Sequence, residues 1–312
     1  MRPQRNGPRL LQALALLLVT SAAPPAEAAE RRSVDEHRAA DPQGQVEIVN
    51  VAGRVDVLGW DKAEVAVSGT LDADVDKLDI TTDGARTSIR VVLEHKGGVH
   101  LGIGHGDSGE ANLVVHVPLK SSLKTSLVSA DLVVKDLQGD QELQTVSGDV
   151  RSAAAREVRV HTVSGDVELT AGAASRVLEI GTVSGDVKVT GGGGEVTVNT
   201  VSGDCHLSLG SVSRARLKTV SGDYTLSAGL AADGRLEVET VSGEVGIEFN
   251  GGLPPAEFDL QTYSGDLSTC FGKKPVKEGY GPGSRLSYRE GAGTAKVRVD
   301  TKSGDVTVCA KH

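Results

Sequence analysis

The sequence predicts an all-β chain, a single-stranded β-solenoid of β-helix type. Three observations predict it: a five-residue motif recurring at near-constant spacing, strict two-residue alternation on both sides of that motif, and a composition suited to short strands and tight turns. The motif Thr-Val-Ser-Gly-Asp starts at Thr145, Thr162, Thr182, Thr200 and Thr219. Thr240 begins T-V-S-G-E, Thr262 begins T-Y-S-G-D and Thr301 begins T-K-S-G-D. Successive starts lie 17, 20, 18, 19, 21, 22 and 39 residues apart, so the unit is near 20 residues and the last interval holds an insertion. A period of this size marks an array of stacked supersecondary units. Aromatic residues make up 3% of the chain against 39 Gly. That is too little aromatic volume for an ordinary core, and enough Gly for a corner in every unit.

The chain opens on a segment outside the fold. Arg2, Arg5 and Arg9 precede the apolar run Leu10 to Val19, and Ala26-Glu27-Ala28 follows. A basic region, a short apolar run and an A-x-A site describe a secretory signal peptide over residues 1–28. The run is shorter than the ~20 residues a spanning helix needs, and no later segment is apolar enough to cross. The expected location is therefore exported: periplasmic, extracellular or at the cell surface. Losing three Arg and one Glu takes the net charge from −9 to −11. A chain this acidic lacks the basic footprint of a nucleic-acid binder and has no grip on anionic lipid. Residues 29–42 are polar and charged, and read as a flexible leader.

Residues 43–312 form the expected solenoid domain. Its first part, 43–120, carries strand patterns without clean repeats: Gln45 to Leu58, Ala63 to Leu71, Leu78 to Thr82, Thr87 to Glu94 and Ala111 to Pro118. Asp83-Gly84 marks a turn between two of them. This part reads as a first rung plus an antiparallel excursion that caps the open end, which would otherwise invite edge pairing. Asn50-Val51-Ala52-Gly53-Arg54 and Leu127-Val128-Ser129-Ala130-Asp131 are degenerate copies of the motif.

Residues 121–312 are the stacked repeats. Side chains alternate along a strand, so Val196, Val198, Thr200 and Ser202 share the inward parity, and Cys205, Leu207 and Leu209 resume it after the turn. Each repeat is then a strand, a Ser-Gly corner, a second strand and a loop. One rung alone cannot bury its apolar face, and stacking does so. About ten rungs at ~4.8 Å give a rod on the order of 50 Å long. Gly148, Gly165, Gly185, Gly203, Gly222, Gly243, Gly265 and Gly304 occupy the corner, where positive φ or close chain approach is expected. The inward Thr and Ser are expected to form hydrogen-bonded ladders. A Ser copied in every rung is not a catalytic nucleophile.

Two outward columns remain. Val146, Val163, Val183, Val201, Val220 and Val241, followed by Tyr263 and Lys302, make an apolar stripe that could dock a partner unless a loop or the strand bend covers it. Asp131, Asp149, Asp166, Asp186, Asp204, Asp223, Glu244, Asp266 and Asp305 make an acidic column. Like charges at that spacing repel by about 0.9 kcal/mol per neighbouring pair in bulk water. Either turn N–H groups offset this, or Ca²⁺ sits between rungs at Asp149, Asp166, Asp186, Asp204, Asp223 and Asp266. The turn reading is favoured, because the G-G-x-G-x-D repeat of calcium-binding β-rolls is absent. His95, His100, His105 and Asp107 lie among many Gly at a spacing that matches no usual metal site. No cofactor is expected.

Three cysteines complete the inventory. Cys270 and Cys309 each lie five residues after a corner Gly. If the insertion Gly272 to Gly283 makes their rungs neighbours, the two stack within bonding distance and staple a last rung that has no neighbour on one side. Cys205 takes an inward Val position, a buried free thiol.

Val46-Glu47-Ile48 through Gly59-Trp60-Asp61, Val115-His116-Val117-Pro118 and the S-G-D-Φ repeats resemble the bacterial putative-adhesin family of β-strand-repeat proteins, a domain of unknown function. The resemblance covers about residues 43–312. It implies an exported β-helix-like protein and brings no catalytic residues with it. Arg54 and Ala130 depart from its S-G-D pattern. The expected function is a non-catalytic, adhesin-like interaction protein whose partner is a protein or glycan of the envelope or surface. A periplasmic scaffold is the alternative. A polysaccharide-acting β-helix enzyme ranks below both, because such chemistry needs a few unique carboxylates and these acids are ladder copies.

Overall fold

The computed structural model describes residues 31–93, 109–277 and 283–311. The expected signal peptide, residues 1–28, and the His95–Asp107 segment lie outside them. The described chain is all β, with no helix. Its strands are β1 (Arg32–Ala39), β2 (Gln45–Trp60), β3 (Glu64–Leu71), β4 (Val75–Asp83), β5 (Arg86–Leu93), β6 (Ala111–Pro118) and β7 (Ser122–Leu137). The repeats follow as β8 (Gln141–Ser147), β9 (Val150–Ala154), β10 (Glu157–Ser164), β11 (Val167–Ala171), β12 (Val177–Ser184), β13 (Val187–Gly191), β14 (Gly194–Ser202), β15 (Cys205–Ser221), β16 (Tyr224–Ser242) and β17 (Val245–Asn250). The last are β18 (Ala256–Ser264), β19 (Leu267–Thr269), β20 (Val276–Lys277), β21 (Ser284–Arg289), β22 (Ala295–Ser303) and β23 (Val306–Lys311).

From β8 to β17 each repeat pairs with the next in parallel, corner to corner. Thr145, Thr162 and Thr182 stand opposite one another across β8, β10 and β12, and Val150, Val167 and Val187 do so across β9, β11 and β13. Strands before the corner form one limb and strands after it a second. The apolar residues of both limbs face inward into one continuous core. Val160, Ile180, Val198, Leu217 and Val238 line it from the first limb, all fully buried. Small β-branched and Leu side chains, one per position per repeat, fill most of the narrow space, and Tyr224, Phe249 and Phe258 are buried in it towards the C-terminal end.

At the N-terminal end antiparallel strands flank the parallel pairing, and one expectation is corrected. β2 pairs in parallel with β7 along its length, and on its other side with β5 and then β6. Antiparallel β4 covers β5, and antiparallel β3 covers β6. The β4–β5 hairpin turns at Gly84, φ +57°, with Asp83 opposite Arg86, the position where a two-residue hairpin favours Gly. The expected flexible leader is instead largely a strand: β1 lies antiparallel on β3 from Arg32↔Leu71 to Ala39↔Glu64. Its polarity suits an edge, since charged side chains discourage further pairing. His37 Nδ1 meets Glu64 at 2.7 Å, and Arg31 meets Asp72 at 2.9 Å.

The C-terminal end brings a second correction. The last repeat in sequence is not the last in space. β22 pairs with β16 on one side and β18 on the other, and β23 lies between β17 and β19. The chain therefore skips a slot after β17, builds β18 and β19, turns back through antiparallel β20 and β21, and fills the vacant slot last. Cys270 and Cys309 are bonded, with Cα atoms 4.8 Å apart. The bridge fastens the outermost repeat to the inserted one. It does not staple an unsupported final repeat.

Candidate functional site

The corner positions everything outward of it. At Gly203 φ is +133°, a region closed to β-branched residues. A Cβ there would lie 2.2 Å from the Gly185 carbonyl oxygen of the preceding repeat. Gly is needed both for conformation and for space. The Gly185 N–H donates to Ser202 O at 3.3 Å, and Val187 N–H to Asp204 O at 2.9 Å.

The acidic column is tied to this main chain. The Asp166 N–H donates to Asp149 Oδ1 at 3.1 Å, Asp186 N–H to Asp166 at 2.9 Å, Asp204 N–H to Asp186 at 2.9 Å and Asp223 N–H to Asp204 at 2.9 Å. Asp131 serves Asp149, and Asp305 serves Asp266, in the same way. Asp131, Asp149, Asp166, Asp186, Asp204, Asp223 and Asp305 thus each accept the N–H of a neighbour, an attraction that offsets the like-charge contact. Among the described residues no three His, Cys, Asp or Glu side chains come together as a metal cluster.

The hydroxyl ladders differ from expectation. The Thr side chains are buried, but they do not bond one another. Thr219 and Thr240 donate to the carbonyls of Ser221 and Ser242, and Thr162, Thr182, Thr200 and Thr301 hydroxyls have no partner. The corner Ser side chains point outward: Ser164, Ser184, Ser202 and Ser221 are exposed. Strand alternation breaks at Thr because the chain bends there, so two consecutive residues, Val and Ser, both face solvent.

The Val column is uncovered. Val128, Val146, Val163, Val183, Val201, Val220 and Val241 are each 46–50% exposed, and Tyr263 is 67% exposed. Because β22 is inserted, Lys302 separates Val241 from Tyr263. Seven Val in a row span roughly 29 Å at ~4.8 Å per repeat. Beside them run the exposed Ser and then the acids. On the opposite side the bend leaves a trough. One depression of about 480 Å³ is lined by Gln144, Thr145, Val146, His161, Thr162 and Val163. Another of about 410 Å³ is lined by Asn199, Lys218, Val220, Glu239, Val241 and Lys302, among others. The far wall is the column one residue before each Thr: Gln144, His161, Gly181, Asn199, Lys218, Glu239 and Asp300. Sequence reasoning passed over this wall, although the same repeat alignment places it on the outward parity.

Other charged columns hold the register. Lys124 pairs with Glu142 at 2.8 Å, Arg159 with Glu179 at 3.3 Å, Arg216 with Glu237 at 3.1 Å and Lys218 with Glu239 at 2.7 Å. Each pair joins neighbouring repeats. Exposed pairs of this kind contribute ~0–1 kcal/mol apiece, and they penalise a slipped register. Cys205 is a buried free thiol packed in the core, and burial pushes its pKa up to about 12.

Parallel pairing of short repeats and their outward columns define a protein of stacked β-repeats. The chain belongs to the Toastrack DUF4097 family, a domain of unknown function, whose family model matches residues 48–309. No curated protein matches it. Similar solved structures include a putative cell adhesion protein from Clostridium sporogenes (9% identity, 90% of this chain and 100% of that one, TM-score 0.22). A putative lipid binding protein from Parabacteroides distasonis has 13% identity, covering 90% and 97%, at TM-score 0.33. A putative adhesin from Parabacteroides merdae has 10%, covering 90% and 97%, at 0.28. Likenesses this distant carry no functional argument. No helix among the described residues is long and apolar enough to cross a membrane.

Proposed function

We propose that this is an exported, non-catalytic interaction protein of adhesin-like type. It is a β-solenoid of about ten rungs that binds a protein or glycan of the cell envelope or surface through its repeated outer face. The observation that carries the reading is the unbroken row of half-exposed Val from Val128 to Val241. Repeated exposed apolar residues on a water-facing edge mark a contact surface, and an array of identical weak contacts adds up by multivalency. The acids support the non-catalytic reading, because seven of the nine accept a main-chain N–H and none is unique. No cofactor is invoked. Basic n-region, apolar run and A-x-A site support export.

The test is retention on envelope fractions of the double variant Val183→Lys, Val201→Lys against the native chain. Both sites are half exposed, so the fold tolerates Lys there, and retention should fall at least tenfold. Equal retention of a folded double variant would refute the reading. Protease treatment of intact cells then separates surface display, which gives cleavage, from a periplasmic scaffold, which is protected until the envelope is opened.

A further inference from the structure

We propose that the connectors between repeats form a second binding site, a groove that takes a short acidic saccharide. It does not draw on the Val row: Asp140 and Val146 lie at opposite ends of the β8 limb, about 20 Å apart. The groove follows from connector length. In spatial order residues 40–44 lead into β2, 119–121 into β7, 138–140 into β8, 155–156 into β10 and 172–176 into β12. Main-chain bonds hold this stack: Ser122 N–H donates to Gly44 O at 3.0 Å, Gln138 N–H to Leu119 O at 2.7 Å and Arg176 N–H to Arg156 O at 3.3 Å. The 155–156 connector is two residues long and sits between connectors of three and five. Its shortness leaves a notch, and the depression around it has a volume of about 620 Å³. Gln43, Lys120, Ser122, Gln138, Asp140 and Arg156 line it, with Ala174 at the far end. Five successive connectors at ~4.8 Å make it about 19 Å long, a shape for a linear ligand of several linked units.

The polar groups of the groove are unspent. On the strands beside it, cations close on acids of the neighbouring repeat, as Lys124 does on Glu142 at 2.8 Å and Arg159 on Glu179 at 3.3 Å. Lys120 has no ion pair or hydrogen bond among the described residues. Arg156 Nε stands 3.6 Å from Asp140 Oδ1, beyond hydrogen-bond distance, so its fork of donors is open. Asp140 Oδ1 is buried and has no hydrogen-bond partner, while the side chain as a whole is 45% exposed. Two acids that flank the connectors are already engaged: Asp41 accepts the Gln43 N–H at 2.8 Å, and Glu157 faces Arg159 at 3.4 Å.

These groups select the ligand. Lys120 and Arg156 stand two connectors apart, about 10 Å, and each takes an anionic group, Arg156 bidentately. Between them Asp140 only accepts, so it needs a donor, and the Gln138 amide offers both roles. A ligand with spaced carboxylates and hydroxyls between them meets every one of these groups, and a chain of sugar acids has both. A chain of bare phosphates brings charge without the donor that Asp140 needs. The acidic column does not repel such a ligand, because it lies at the corner, far beyond the ~8 Å over which charge acts at physiological salt.

The experiment titrates the mature chain, disulfide intact, with trigalacturonate and follows amide shifts, with maltotriose as the neutral control. Trigalacturonate should bind with a dissociation constant of about 0.1–1 mM and shift the amides of Lys120, Gln138, Asp140 and Arg156. The double variant Lys120→Gln, Arg156→Gln should keep its circular dichroism and bind at least tenfold more weakly. Arg159→Gln, whose cation is spent on Glu179, should bind like the native chain. The galacturonate monomer reaches one cation only and should bind at least tenfold more weakly than the trimer. No binding up to about 10 mM, equal binding of maltotriose, or native binding by the double variant overturns the site. Equal weakening by Arg159→Gln shows diffuse charge and overturns it too. If inorganic phosphate or triglutamate displaces trigalacturonate at lower concentration than the trimer itself needs, the saccharide assignment falls. Val183→Lys, Val201→Lys should leave trigalacturonate binding unchanged, so this site and the Val-row reading fail separately.

Discussion

At the residue scale, the corner glycine tolerates no side chain. Gly203→Val combines φ +133° with a Cβ 2.2 Å from a carbonyl oxygen, and should cost ~3 kcal/mol or more. Gly246→Ala is the control, since its added Cβ would sit 3.7 Å from Tyr224 O and stability should stay within about 0.5 kcal/mol. Urea unfolding of the two variants distinguishes them. The acids give a second residue-scale prediction. Asp186→Asn keeps the acceptor for the Asp204 N–H and removes a like charge, so stability should hold or rise. Asp186→Ala leaves that N–H without its partner and should lose ~1 kcal/mol. A loss on Asn equal to that on Ala would mean the charge, not the hydrogen bond, is what matters. Both columns were legible in the sequence because one residue per repeat faces a main-chain constraint identical in every copy. The Ser orientation was not legible. Parity counting assumes a straight strand, and the bend at Thr sets Val163 and Ser164 on the same exposed side.

At the element scale, the terminal strands are the weak ones. β19 is three residues long and, among the described residues, pairs with β23 alone. Reduction of Cys270–Cys309 should raise amide exchange in β19 first, with β10 to β14 unchanged. Deleting residues 294–312 should remove β22 and β23, the strands that among the described residues tie β18 and β19 to β16 and β17. Proteolysis should then clear the chain back to about Asn250, and survival of β18 would show that it can take the vacated slot. The slot-skipping order was hidden in the sequence for a physical reason. Corner bonding runs through main chain and a set of residue types repeated along the chain, so T-K-S-G-D and T-Y-S-G-D fit either slot. β1 was hidden too, because an edge strand held by His37–Glu64 and Arg31–Asp72 looks like a soluble leader. Glu64, as hydrogen-bond acceptor first, raises the His37 pKa above 6.5. Raised in the folded state, it favours β1 docking fully below the unfolded pKa and loses that contribution as pH climbs through the folded value. β1 amides should therefore be better protected at pH 6 than at pH 8, after correction for intrinsic exchange, and His37→Gln should erase the difference.

At the scale of the whole molecule, one rule repeated along the chain produces both stability and surface. The same in-register pairing that buries Val160, Ile180 and Val198 aligns Val163, Val183 and Val201 on the outside. A repeat that must stack to bury its core necessarily displays its outward residues as straight rows. The apolar row, the hydroxyl row and the acidic row are thus consequences of the fold, and what the sequence adds is the choice of Val at a position the core does not need. The measurement that tests this most directly is a photo-cross-linking comparison on envelope-bound protein. A photoreactive side chain replaces Val183 in one variant and Lys188, on the second limb, in another. The account predicts adducts from position 183 and few from 188. Adducts from 188 with none from 183 would place the binding surface on the other limb and contradict it.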